Sequence, residues 1–249
     1  MMATRPAGQR PPLLEICIDD AEGVEAVVRA GADRIELCGA LGLGGLTPSA
    51  ALVAQAVASG VPVHAMVRPR DGDFRYDPAD VALATDEIRR MVGQGVAAVV
   101  VGAMGDDRSL DLDLLARWRD AAKDVAIVLH RAVDLVADPV AAVEAVAAIG
   151  YDHILTSGGA PTAEQGADVI ARMVAAARGR LSIIAGSGVS AKNVAALIAR
   201  TGVDAVHASA SIREPWTDPR IVEMGFAVGP RRRTSTEKII ALRHAIGEE

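Results

Sequence analysis

The chain has 249 residues, of which 51% are apolar and 23% charged, with a formal net charge of −6. That length suits one large α/β domain or two small ones. The negative balance, six scattered aromatics and no basic block longer than Arg231-Arg232-Arg233 argue against nucleic acid as a partner, and no apolar run approaches the roughly 18–20 residues of a membrane span.

Residues 1–12 carry proline and arginine without an apolar signal core, and read as a disordered leader on a cytoplasmic protein. From there, eight short β-branched runs recur, at 13–18, 33–37, 61–67, 98–101, 125–130, 153–156, 181–185 and 204–208. Their near-continuous apolar character suits strands buried on both faces, as in a parallel sheet. Ala-rich segments fill the gaps, drawing on 48 alanines. Thr47-Pro48, Asp77-Pro78 and Asp138-Pro139 each place a capping side chain before a proline at the first helical position. Gly31, Gly60, Gly95, Gly150, Gly179 and Gly202 mark helix ends just before the next run. The eighth helix falls at 234–246, after a loop at 212–233. Eight such units predict one α/β domain over 13–249, a single TIM (β/α)8 barrel. An open doubly wound sheet would usually have a glycine-rich turn after the first strand, where Ile18-Asp19-Asp20-Ala21 stands.

In such a barrel the chemistry lies at the C-terminal strand ends, and the alternation of side chains tells which point inward. The polar parity gathers Glu15 with Cys17, Glu36 with Cys38, and His64 with Met66 and Arg68. The fifth strand ends in His130-Arg131, and the eighth carries His207 and Ser209. Glu15, Glu36, His64, His130 and His207 are therefore the candidates for acid–base work. Arg68, Arg70 and Arg131 supply charge for an anion. Gly186-Ser187-Gly188 and Ser209, at the strand seven and eight ends where barrels hold phosphate, offer backbone N–H and hydroxyl donors to the same anion. Phe74, Tyr76 and Trp216 are the aromatics expected to cover a ligand, while His153 and His244 read as structural or solvent-facing. Only three lysines occur, none at an inward strand end, so Schiff-base chemistry has no nucleophile.

Cys17 and Cys38 are the two cysteines and are expected as thiols. Adjacent strands lie about 4.8 Å apart, so two inward thiolates could hold Cu(I), a soft ion. The alternative is that both are small packed hydrophobes.

Several segments, in order, resemble the CutC family of copper homeostasis proteins. They include Leu14-Glu15-Ile16-Cys17, Gly31-Ala32-Asp33-Arg34-Ile35-Glu36-Leu37-Cys38 and Gly44-Gly45-Leu46-Thr47-Pro48-Ser49. Val61-Pro62-Val63-His64, Arg68-Pro69-Arg70, His130-Arg131-Ala132 with Asp134, Leu155-Thr156-Ser157-Gly158, Gly186-Ser187-Gly188-Val189 and His207-Ala208-Ser209-Ala210 continue it. The chain departs at Asp71-Gly72-Asp73-Phe74, where the family usually has Gly-Gly-Asp-Phe. It departs again at Leu43-Gly44, where an acidic residue is usual. The resemblance implies a TIM-type barrel in the cytoplasm, with copper ligands at Cys17 and Cys38. Two readings stand side by side: a copper-binding homeostasis protein, and a barrel enzyme of isomerase, epimerase or lyase type. The second would act on a sugar-like or phosphorylated small anionic metabolite. For a homo-oligomer, the loop at 212–233, with Trp216 and Phe226, is the candidate contact.

Overall fold

The computed structural model describes residues 11–247, so the expected leader lies outside the described residues except for Pro11 and Pro12. Eight parallel strands close in chain order: β1 (Leu13–Ile18), β2 (Arg34–Leu37), β3 (Val63–Met66), β4 (Ala98–Val101), β5 (Ala126–Leu129), β6 (His153–Thr156), β7 (Ser182–Ala185) and β8 (Ala205–Ala208). Strand β8 pairs back onto β1, which completes the predicted barrel. All eight lie within two residues of the runs read from the sequence, because each run is predominantly apolar and is buried on both faces.

Helices α1 (Ala21–Ala30), α2 (Ala50–Ala58), α3 (Pro78–Gly93), α4 (Leu112–Ala122), α5 (Pro139–Ala148), α6 (Ala167–Ala177) and α7 (Val194–Thr201) follow the first seven strands in turn. Asp77 and Asp138 cap α3 and α5 through their carboxylates, with proline at the first helical position as expected. Gly31 and Gly202 end α1 and α7 in the left-handed conformation, at φ 70° and 72°. The expected cap at Thr47-Pro48 is displaced: Ser49 caps α2. The Thr47 hydroxyl is occupied elsewhere, accepting from the Arg68 N–H at 3.0 Å, while the Thr47 N–H donates to the Arg68 carbonyl at 3.1 Å. That clamp ties the β2–α2 loop to the end of β3.

The segment after β8 is richer than the expected loop. It holds strand β9 (Ser211–Glu214), a short turn of helix α8 (Arg220–Glu223) and strand β10 (Arg231–Thr234), before helix α9 (Thr236–Ile246) closes the ring between α7 and α1. Strands β9 and β10 form an antiparallel pair. A run of three arginines reads as a solvated charge block, but here carboxylates absorb two of them. Arg231 pairs with Glu22 at 2.8 Å, and Arg233 with Glu214 at 2.9 Å.

The core has two shells. Ile16, Leu37, Val99, Leu129 and Ile154 are fully buried between barrel and helices. The opposite parity fills the barrel with a smaller apolar plug, made of Cys38, Met66, Val100, Val128, Leu155 and Ile184. Polar side chains occupy the remaining inward positions of β1, β2, β3 and β8, and these define the site.

Candidate functional site

Strand register sets the floor of the site. Glu15 lies opposite Arg34 on β2 and opposite His207 on β8. Arg34 Nε donates to Glu15 Oε2 and His207 Nδ1 to Glu15 Oε1, both at 2.8 Å. His64 Nδ1 lies 3.0 Å from Glu15 Oε2 but off the axis a hydrogen bond needs, leaving that nitrogen without a partner. Burial works against the Glu15 charge. The His207 bond, the His64 ring and the Arg34 charge outweigh it and hold the carboxyl well below its usual range. His64 faces down the barrel and stacks on His153, with ring centroids 5.6 Å apart. His153 is thus part of the interior, with burial pressing its pKa down to about 4.

Above the floor, Cys17, Glu36 and His207 each offer a ligand atom, and these atoms lie within 4.8 Å of one another. His207 Nε2 is 3.7 Å from Glu36 Oε2. The Cys38 thiol donates to the same Glu36 oxygen at 3.6 Å. Burial raises the Glu36 pKa. Burial also opposes charge on His207, yet Glu36, Cys17 and Glu15 together hold its pKa well above that of a free imidazole. Burial and the neighbouring Glu36 push the Cys38 thiol up. The two cysteines differ in access as well: Cys17 reaches the cavity, whereas Cys38 is 1% exposed within the apolar plug.

The cavity at the barrel mouth has a volume of about 360 Å³. On its β5 side, His130 Nδ1 accepts from the Ala132 N–H at 3.1 Å, which leaves the ring proton on Nε2. Burial and the Arg68 charge lower this imidazole to about 3, so it is neutral. Phe74 packs on the ring at 4.7 Å, and the Arg68 guanidinium sits 5.0 Å over Phe74. Arg68 donates to the carbonyls of Leu43, Gly45 and Gly72, and no carboxylate pairs with it among the described residues. Arg131 is aimed by Asp134 at 2.8 Å and by the Ser157 hydroxyl at 2.7 Å.

On the opposite rim the β7 turn presents Ser187 and Gly188 in succession at φ 79° and 73°. Ser209 and Arg232 line the cavity beside them. Three residues lining this cavity carry a buried side-chain atom with no partner among the described residues: Glu36 Oε1, Arg68 Nε and His130 Nε2. Each such orphan costs on the order of 1–3 kcal/mol unless a ligand or water satisfies it.

The structure therefore brings together Glu36, Cys17, His207, His130, Arg68, Arg131, Ser187, Gly188 and Ser209 around one cavity. Glu15 supports His207 from below, and His64 lies deeper. Arg70 lies apart, bound to Asp80 and Asp73 at the outer loop and stacked over Tyr76. Gly186 serves packing, since a Cβ there would sit 2.7 Å from the Leu155 side chain. Among the three expected aromatic covers, Phe74 lines the cavity. Tyr76 packs on Trp118, and Trp216 donates to the Gly229 carbonyl within the β9–β10 excursion. Arg232 was not foreseen. The alternation within the arginine run was its signal, for it takes the opposite parity to the two paired arginines.

Fold and site together define a TIM-barrel protein with a buried acid–imidazole–thiol cluster opening on an arginine-flanked cavity. The CutC family model matches residues 12–212. A CutC family protein of Sinorhizobium medicae is 47% identical over 231 residues, covering 93% of this chain and 94% of that protein. One of Rhizobium meliloti is 47% identical over 230 residues, covering 92% and 94%. Among solved structures, a proposed copper homeostasis protein CutC from Streptococcus agalactiae superimposes with a TM-score of 0.76 at 27% identity, covering 80% of this chain and 98% of that one. The chain belongs to the CutC family. No helix among the described residues is long and apolar enough to cross a membrane.

Proposed function

We propose that this barrel binds copper as Cu(I) in the cytoplasm and serves copper homeostasis, with Cys17 as the principal ligand. The observation carrying the reading is the clustering of Cys17, His207 and Glu36 donor atoms within 4.8 Å. Thiolate and imidazole suit a soft monovalent ion, and a carboxylate contributes less. The Glu15 bond fixes one His207 proton on Nδ1 and turns Nε2 toward the thiol, the outer-shell arrangement that metal-binding imidazoles use, so that a bound Cu(I) would displace the Nε2 proton. Cys38, the second sulfur expected as a ligand, stands one hydrogen bond behind Glu36. Both cysteines are free, as a reducing compartment keeps them.

The test is Cu(I) affinity by chelator competition for Cys17→Ser, Cys38→Ser and His207→Ala. Loss of affinity in the first and third with a smaller effect in the second supports a Cys17–His207 site. Equal losses in both cysteine variants support a two-sulfur site. Unchanged affinity in Cys17→Ser sinks the proposal.

A second reading has its own observation: the orphaned Arg68, His130 and Glu36 atoms around a cavity of molecular size. A copper ion at Cys17 leaves Arg68 and His130 unexplained. A small anionic substrate undergoing acid–base chemistry would use both, with Glu36 as base and His207 as partner acid. Turnover in a screen of small hydroxylated anions, lost in Glu36→Gln, supports it. Absence of turnover by the intact protein across that screen counts against it.

A further inference from the structure

We infer that the barrel mouth binds a phosphate monoester of a small hydroxylated compound. Its phosphate would sit between the Ser187–Gly188 turn and Arg232, with its hydroxyls toward Arg68, His130 and Glu36. The inference rests on the second reading above, for which it names the ligand class, and is independent of copper.

Consider first the β7 turn. A non-glycine residue at positive φ is uncommon and marks a backbone held for a purpose. Ser187 is such a residue, and Gly188 follows it in the same region. The N–H groups of both lack an acceptor among the described residues. The turn is nevertheless rigid. The Ser187 hydroxyl donates to the Pro161 carbonyl at 2.8 Å, the Ser187 carbonyl accepts from Ala163 at 2.9 Å, and the Gly188 carbonyl accepts from Asn193 at 3.0 Å. A fixed turn with unused N–H groups is a cradle for anion oxygens.

Arg232 supplies the charge. It stands opposite Arg213 in the β9–β10 pair, a like-charge juxtaposition that a strand pair disfavours. Its neighbours Arg231 and Arg233 have carboxylate partners, whereas Arg232 has none among the described residues and lines the cavity. An anion between the cradle and this guanidinium would relieve that repulsion.

The other side of the cavity asks for a different chemistry. Arg68 is 6% exposed and His130 4% exposed; both line the cavity, and each carries a buried N–H without a partner among the described residues. Glu36 is 4% exposed, lines the same cavity and carries a buried oxygen without a partner among the described residues. Two donors and one acceptor, with Phe74 between Arg68 and His130, match vicinal hydroxyl or carbonyl groups better than a second phosphate. Glu36, a carboxylate, would repel a second phosphate outright.

The experiment is calorimetric titration of chelator-treated full-length protein with glycerol 3-phosphate, ribose 5-phosphate, inorganic phosphate, glycerol and ribose. We expect at least one phosphorylated sugar or polyol to bind with Kd at or below about 1 mM. Inorganic phosphate and the neutral compounds should bind at least about tenfold more weakly. Arg232→Ala, on an exposed hairpin, should weaken binding by about tenfold or more. Arg180→Ala, at a site paired with Glu144 of α5 outside the cavity, should leave it unchanged. No binding by either phosphorylated probe, neutral compounds binding as tightly, or an unaltered affinity in Arg232→Ala would each overturn the inference. Turnover is scored separately: binding without reaction keeps this site and removes the enzyme reading. Chelation keeps the result independent of the copper proposal.

Discussion

Glu15 on the first barrel strand and His207 on the eighth share a 2.8 Å hydrogen bond across the seam where the barrel closes. Residues 192 positions apart are thus bound at the point where β1 and β8 must find each other. The bond has two consequences. It holds one His207 proton on Nδ1 and turns Nε2 toward Cys17 and Glu36. It also supplies Arg34 and His207 with one shared buried counter-charge.

Glu15→Gln should therefore act on stability and on copper together. The amide leaves Arg34 without its buried counter-charge, a loss of about 3–5 kcal/mol. With His207 no longer oriented, Cu(I) affinity should fall by about 10–100-fold. Urea unfolding gives the first quantity and chelator competition the second. A folded variant with wild-type copper affinity would show that the orientation of His207 is immaterial.

His130 predicts an acid-sensitive stability. Burial holds it near 3, whereas the unfolded chain takes up the proton near 6.5. Between those values the unfolded state binds more protons, so stability rises with pH and falls on acidification. The cost at pH 5 is about 2 kcal/mol. His130→Gln removes this proton uptake, so its unfolding free energy should change less between pH 7 and pH 5 than the wild type's. His207 runs the other way: its raised pKa gives stability that is present at low pH and fades as pH rises through the folded value. Coincident pH slopes for wild type and His130→Gln would mean that the imidazole titrates normally.

The barrel was legible in the sequence because parallel strands buried on both faces leave an unmistakable apolar run, and because parity fixes the inward side. Glu15, Cys17, Glu36 and His207 were readable for that reason, being placed by strand register alone. Loops follow no such period. The capping role passed from Thr47 to Ser49 because of a tertiary bond to Arg68 that no local pattern records. Arg70 and Arg68 look equivalent in sequence, two residues apart on one loop. The outcome differed because Asp80 and Asp73 captured one, while only carbonyls reached the other. Arg232 was missed because its partner strand, β9, carries charged residues and no hydrophobic alternation.

Gly102→Ala tests how tightly His130 is held. Gly102 follows β4, and a Cβ there would lie 2.3 Å from His130 Cε1 and 2.4 Å from Nδ1. The ring cannot yield without breaking its bond to the Ala132 N–H. We expect a loss of about 1–3 kcal/mol from overpacking. Binding of the phosphorylated probe should weaken, with copper affinity preserved, since β4 and β5 lie across the barrel from Cys17. A tolerated alanine with unchanged probe binding would show that His130 does not contact the ligand.

Asp134 separates positioning from chemistry. It accepts from the Thr156 hydroxyl at 2.6 Å, from the N–H groups of Ser157 and Gly159 at 3.0 Å, and from Arg131 Nε at 2.8 Å. Four residues, one just after β5 and three at or just after the end of β6, thereby converge on one carboxylate, and Arg131 owes its aim at the cavity to it. In Asp134→Asn the amide NH2 must face at least two of these donors whichever way it turns, since both oxygens are engaged. The expected loss of stability is about 2–3 kcal/mol. Arg131, released from its ion pair, should no longer be aimed, so affinity for the phosphorylated probe should drop severalfold. Copper affinity should not change, because Cys17 and His207 belong to β1 and β8 on the far side of the ring. If copper affinity falls in parallel with stability, the variant has disturbed the whole barrel. If stability falls and both affinities hold, Arg131 has no part in binding.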